Sequence, residues 1–156
     1  MRKALRAMAF VVSVLSLGGC GGSETSEPAR FVFNTFVGLW INGCEPDMLG
    51  GSQNIHIRLT ELSADSLSGT FTVRTYPNAT CSGTPTSTVQ FGMQQNGTGT
   101  VGSDLVIKVT IAGGTSASGL NLISVRNGNL YLGDTGTRGS DGYPTVIDFN
   151  KPLVLN

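Results

Sequence analysis

Hydrophobic and polar positions divide the chain into three regions. Ala7 to Leu17 is an apolar run broken only by serines, and Gly21 to Ala29 (GGSETSEPA) is small and polar with no apolar period. From Phe31 onward, short apolar runs recur between clusters of Gly, Asn and Pro. The period in this last region is two. Ile55, Ile57 and Leu59 share one face of Gln53–Leu62, with His56, Arg58 and Thr60 on the other. Leu67, Gly69, Phe71 and Val73 likewise share one side of Leu67–Tyr76, so these two segments pair as a hairpin across Ser63–Ser66. Further strands are predicted over Phe31–Ile41, Thr86–Gln94, Leu105–Ile111, Leu120–Arg126 and Asn129–Leu132, with Thr145–Phe149 and Leu153–Leu155 closing the domain. Asn96-Gly97 and Asn127-Gly128 are hairpin signals, because both residue types tolerate positive φ. Gly102-Ser103 reads as a break in a strand that begins at Thr98 and resumes at Leu105. Asn42–Ser52, Pro77–Pro85, Gly113–Ser118 and the glycine-rich Gly133–Gly142 are loops.

No stretch after the first apolar run sustains a helical period. About eight short strands with mostly local connections predict an all-β fold, an antiparallel meander closed into an eight-stranded β-barrel, with a β-sandwich as the alternative. Closure removes exposed strand edges. The stripe Trp40, Ile55, Ile57, Phe71, Val73, Phe91, Ile107, Val109 and Leu122 is then either packed interior or partly the lining of a pocket, since eight strands just enclose one small ligand.

The start of the chain changes the setting. Arg2, Lys3 and Arg6 precede an apolar run about half as long as the ~20 residues of a spanning helix, the layout of a secretory signal peptide. Leu17-Gly18-Gly19-Cys20 resembles the lipobox of bacterial lipoproteins. That resemblance implies a signal peptide over residues 1–19, diacylglycerol on the Cys20 thiol, an acylated new amino terminus (palmitate-type chains), and a flexible tether over residues 20–30 ahead of one domain at residues 31–156. An ordinary secretory signal with a loose Cys20 thiol is the alternative. Gly21 stands where an Asp would signal inner-membrane retention, which points to the outer membrane, on its periplasmic or surface face.

Export also sorts charge and cysteines. The ten basic and ten acidic residues cancel, but without Arg2, Lys3 and Arg6 seven basic residues face ten acidic ones, a net charge of −3. There is no basic patch for nucleic acid, so membrane contact is assigned to the lipid anchor alone. Three cysteines divide into Cys20 for lipid and Cys44 with Cys81 for a disulfide in an oxidising compartment. A metal pair is the rival, but no histidine or further cysteine lies close in sequence to complete it.

Gly38-Leu39-Trp40, then Trp40-x-x-x-Cys44-Glu45, Tyr76 and Cys81-Ser82-Gly83-Thr84-Pro85 resemble an uncharacterised group of lipocalin-like bacterial lipoproteins. More distantly they resemble the barrel domains of vertebrate Wnt-inhibiting membrane proteins that bind acyl chains. The resemblance covers Phe36 to Phe149. It implies a Trp40 plug at the closed end of the barrel, Arg126 laid over that tryptophan, and a small apolar or lipidic ligand met by Trp40, Phe71 and Phe91. The Thr-Asp-Tyr turn motif and C-terminal helix of typical lipocalins are missing.

Candidate chemistry is sparse. His56, the single histidine, has no identifiable nucleophile or orienting partner, and reads as a strand residue opposite the apolar face. Glu45 and Asp47 beside Cys44 read as a solvated loop before a carboxylate pair. Asp134–Gly142 lacks the alternating oxygens of a calcium loop, and Arg138 intrudes. Gly97-x-Gly99-x-x-Gly102 opens no helix, so its match to a phosphate-binding string is accidental. Asn78-x-Thr80 and Asn96-x-Thr98 are glycosylation sequons by letter only. The expectation is a monomeric, non-catalytic envelope lipoprotein with no metal or cofactor. The alternative is a structural or protein-binding module, an inhibitor or assembly partner, recognising through the Cys44 and Gly133–Gly142 loops.

Overall fold

The computed structural model describes residues 33–47, 49–113 and 116–156. The expected signal peptide at 1–19, the lipobox with Cys20, and the tether at 20–30 lie outside the described residues. Nine strands are present among the described residues: β1 (Gly38–Asn42), β2 (Glu45–Pro46), β3 (Ser52–Ser63), β4 (Ser66–Tyr76), β5 (Ser87–Val101), β6 (Asp104–Gly113), β7 (Ser116–Arg126), β8 (Asn129–Leu132) and β9 (Leu153–Leu155). Each pairs antiparallel with its neighbour in the order β1-β9-β8-β7-β6-β5-β4-β3-β2, and β1 also pairs with β3. β1 is therefore bonded on both edges. It closes eight strands into a lipocalin-like antiparallel barrel, with β2 a short extra strand on the start of β3.

The alternation read from sequence sets which residues face inward. Ile57 lies opposite Trp40 and Phe71, and Phe71 lies opposite Phe91. Leu59, Gly69 and Met93 form the next row. Ile107, Val109, Ile123, Leu130 and Leu153 complete the interior from the other strands. One end is packed solid. There a single turn of 3-10 helix, Phe33–Thr35, folds Phe33 and Phe36 into the core, and the indole Nε1 of Trp40 donates to the Phe36 carbonyl at 2.7 Å. The tryptophan is only 2% exposed. The expected strand over Phe31–Ile41 is thus, over its described residues 33–41, a turn followed by a strand. Phe33 and Phe36 have the i, i+3 spacing that places both on one side of a turn.

Three further expectations are corrected. Asn96-Gly97 is not a hairpin turn: β5 runs through it as a bulge between Gln95 and Gly97, and the chain reverses at Gly102-Ser103, between paired Val101 and Asp104. A type I′ turn needs positive φ at both central residues, and Asn96 does not adopt it. Asn127-Gly128 does, with φ of 53° and 78°, and makes the predicted hairpin. Leu122 is not on the interior stripe, because Ile123 faces in. Leu122 instead packs outside with Val106 and Ile147 beneath the long segment between β8 and β9. That segment crosses the outer wall, tied by Lys108–Asp141 at 2.7 Å, by Asn96 Nδ2 donating to the Tyr143 hydroxyl at 2.7 Å, and by the Tyr131–Phe149 ring contact at 5.1 Å. Arg126 lies on this outer face, over the Phe149 ring at 4.7 Å and 3.8 Å from Asp104. It does not cover Trp40, because its register puts it on the outside with Leu122 and Ser124.

The closed end can be tested directly. Trp40→Ala should cost about 3–5 kcal/mol in denaturant unfolding, and Trp40→Phe about 1–2 kcal/mol, since the latter keeps most of the packing and loses the Phe36 hydrogen bond. Equal, small losses would show that the ring does not plug the barrel.

Candidate functional site

The other end of the barrel is open. A cavity of about 400 Å³ sits in its mouth, within the ~300–1,000 Å³ range of small-molecule pockets. Ile55, Phe71, Leu132 and Leu153 form an apolar floor, and the walls and rim are polar.

Two of the amide residues lining the cavity, Asn42 and Asn121, are buried. Asn42, at the end of β1, accepts the Ile55 backbone N–H on Oδ1 and donates from Nδ2 to Glu45 at 3.3 Å. Asn121, on β7, accepts from the Leu122 N–H at 2.7 Å and the Gly133 N–H at 3.0 Å. Two donors on one atom fix that atom as the oxygen, leaving the Asn121 NH₂ at the cavity wall without a partner among the described residues. Asn121 is 9% exposed. Gly133 permits this arrangement: a Cβ there would lie 2.7 Å from Pro144 and 2.9 Å from Asn121 Oδ1.

The rim is built by extending β8. Gly133 bridges Ile147, Asp134 N donates to Val146 O at 2.8 Å, and Asp148 N donates to Leu132 O at 2.9 Å. With Ile147 packed outside, strand alternation turns Asp134 and Asp148 to the same side as inward-facing Leu132, and both line the cavity. Each holds a local turn with one carboxylate oxygen: Asp134 Oδ1 accepts Gly136 N at 2.8 Å, and Asp148 Oδ1 accepts Asn150 N at 3.0 Å. Glu45 faces Lys151 across the rim at 3.7 Å.

The disulfide buttresses this end. Cys44 and Cys81 are bridged, with Cα atoms 5.6 Å apart. The bond joins the β1–β3 connection to the β4–β5 loop. Beside it, fully buried Ser52 accepts the Cys81 N–H at 3.1 Å and donates to the Asn78 carbonyl.

Of the residues expected to meet a ligand, Phe71 lines the cavity. Phe91 faces inward with its ring 6.2 Å from Phe71, but it is not part of the lining, and Trp40 lies buried toward the closed end. His56 is on the outer wall, opposite Ile41 and Thr72. Its Nε2 is buried without a partner, and burial, then the nearby Arg74, holds its pKa below the usual imidazole value. Asp47 closes its own loop, accepting from the Leu49 and Gly51 N–H groups, each at 2.8 Å. Lys108 hydrogen-bonds Asp141 and, with the Tyr143 N–H, lowers that carboxyl's pKa. No group of three or more His, Cys, Asp or Glu side chains placed to hold a metal occurs among the described residues. Asn42, Asn121, Asp148 and Lys151 were not singled out by sequence, and Asp134 entered only as part of the rejected calcium loop. The available signal for Asn121 was a polar residue at an inward position of an otherwise apolar strand.

Comparison with protein-family models, with curated proteins and with solved structures finds no match.

Two measurements follow from this geometry. Removing the bridge, by Cys44→Ser with Cys81→Ser or by reductant, should cost roughly 4 kcal/mol for a sequence separation of 37, and alkylation without reductant should leave both cysteines unlabelled. For His56, a depressed folded-state pKa means that the unfolded chain binds the proton first. Stability should therefore hold above about pH 6.5 and fall as the pH drops below it, and His56→Gln should remove that part of the slope. A pH–stability curve identical in the variant would show that His56 carries no linkage.

Proposed function

We propose that this chain is an exported, lipid-anchored binding module of the cell envelope that holds a small apolar or lipidic ligand in the mouth of its barrel. One observation carries this reading: a cavity of about 400 Å³ with an apolar floor, open at one end of a barrel whose other end is packed shut. The packed half limits the depth, so the ligand enters by a short apolar part and keeps its polar part at the rim. Support for a non-catalytic role comes from His56, whose position on the outer wall separates it from the cavity. The anchor rests on the Leu17-Gly18-Gly19-Cys20 motif and on the pairing of the other two cysteines, which leaves Cys20 as the lone thiol.

The two halves of this reading have separate tests. Cys20→Ala should move the protein from the membrane fraction to the soluble envelope fraction, and continued partitioning into detergent would discard the anchor. Native mass spectrometry of the protein purified without added lipid should show a co-purifying small molecule, lost when Phe71→Trp narrows the cavity. A ligand-free protein that titrates no apolar probe would favour recognition through the Cys44 and Gly133–Gly142 loops instead.

A further inference from the structure

The mouth of the cavity carries an unbalanced charge, and this narrows the ligand class. Glu45, Asp134 and Asp148 line it against one cation, Lys151, so three negative charges less one positive leave −2. The Lys151 ammonium faces Glu45 at 3.7 Å. The two aspartates are left over, and their placement is structural: the Gly133–Ile147 bridge turns both toward the interior above Leu132. Each uses one oxygen for its own turn, at Gly136 N and Asn150 N, and among the described residues no cation pairs with the other. A second observation is independent of charge. Asn121, nine-tenths buried at the cavity wall, has its oxygen fixed by two backbone donors, so its NH₂ presents an unused donor to whatever fills the cavity.

Resting on the reading of this cavity as a ligand site, we propose that it takes a cationic amphiphile: a short apolar body on the Phe71 floor, a hydrogen-bond acceptor at the Asn121 amide, and an amine at Asp134 and Asp148. An anionic amphiphile such as a fatty carboxylate meets two unpaired carboxylates where its head group must sit, and is disfavoured by like charge. A neutral one gains the floor and an acceptor contact at Asn121, but nothing from the two carboxylates.

The test is calorimetric titration of the full chain with octylamine, octanol and octanoate, at low and high salt. Octylamine should bind tightest, by several-fold and up to about tenfold over octanol, because partly exposed charge pairs each contribute a modest factor. The advantage should shrink with salt. Asp134→Asn with Asp148→Asn should abolish the preference by bringing octylamine down towards octanol, and asparagine keeps the Oδ1 acceptor that each turn uses. Salt dependence in the unmodified protein gives the same answer without any substitution. Octanol binding as well as octylamine, or octanoate binding tighter, would overturn the cationic assignment and leave the cavity a ligand site. Saturable binding of none of the three would overturn both.

Discussion

The structure depends on the double pairing of five residues. Gly38–Asn42 bonds to β3 on one side and to β9 on the other, and without that strand the remaining sheet has two open edges. The same strand divides the interior. Trp40, in its middle, fills the closed half together with Phe33, Phe36 and Met93. Asn42, two residues on and again facing inward, starts the open half. Strand alternation requires positions 38, 40 and 42 to share a face, so one short segment sets both the plug and the cavity. The closing partner β9 has only three residues, and its side chain Leu153 is buried against this core while Val154 faces solvent.

Burial on the outside of the wall explains both what the sequence revealed and what it hid. The runs Leu105-Val106-Ile107 and Leu122-Ile123 are apolar at consecutive positions, the signature of strands covered on both faces. Ile107 and Ile123 fill the barrel, while Val106 and Leu122 meet Ile147 outside. Period-two reading cannot decide which member of such a pair faces in, and Leu122 was placed on the wrong side for that reason. In the covering segment Gly133–Gly142 reads as a loop and Thr145–Phe149 as a strand, but only the isolated bridges Gly133–Ile147 and Arg138–Pro144 form there, because its order comes from distant partners. Lys108, Asn96 and Arg126 lie far from Asp141, Tyr143 and Phe149 in sequence. Arg126 shows the same limit: the resemblance laid it over Trp40, whereas its register sets it on the outer face against Phe149.

The hairpins separate local from long-range information in another way. Asn127-Gly128 forms its turn where the sequence puts it, because the strands on either side end there. Asn96-Gly97 carries equally good turn chemistry and is absorbed into β5, because β6 pairs with the segment on both sides of it, from Gly92 to Val101. A bulge takes up the extra residue, and Asn96 then faces out to bond Tyr143. Ladder pairing over that length outweighs one turn preference. The disulfide was legible from cysteine count alone, as was the closed meander from the spacing of short strands. The cavity was not, since it depends on which inward residues fail to fill the interior.

That failure has a physical cause in Asn42 and Asn121. A leucine at either position would project into the barrel and pack with Ile55, Phe71 or Leu153. Asparagine instead turns its oxygen back to the wall, onto Ile55 N in one case and Leu122 N and Gly133 N in the other. An amide that left those bonds to fill the space would strand a buried polar group, at a cost of about 1–3 kcal/mol. The walls thus hold the amides away from the centre, and the barrel stays packed only as far as its apolar side chains reach. Solvated carboxylates at Asp134 and Asp148 reinforce the opening, because collapse of the rim would desolvate them with no cation to compensate. The cavity is therefore maintained by hydrogen bonding and charge at its edge, and an occupant that satisfies both can enter without rearranging the core beneath it.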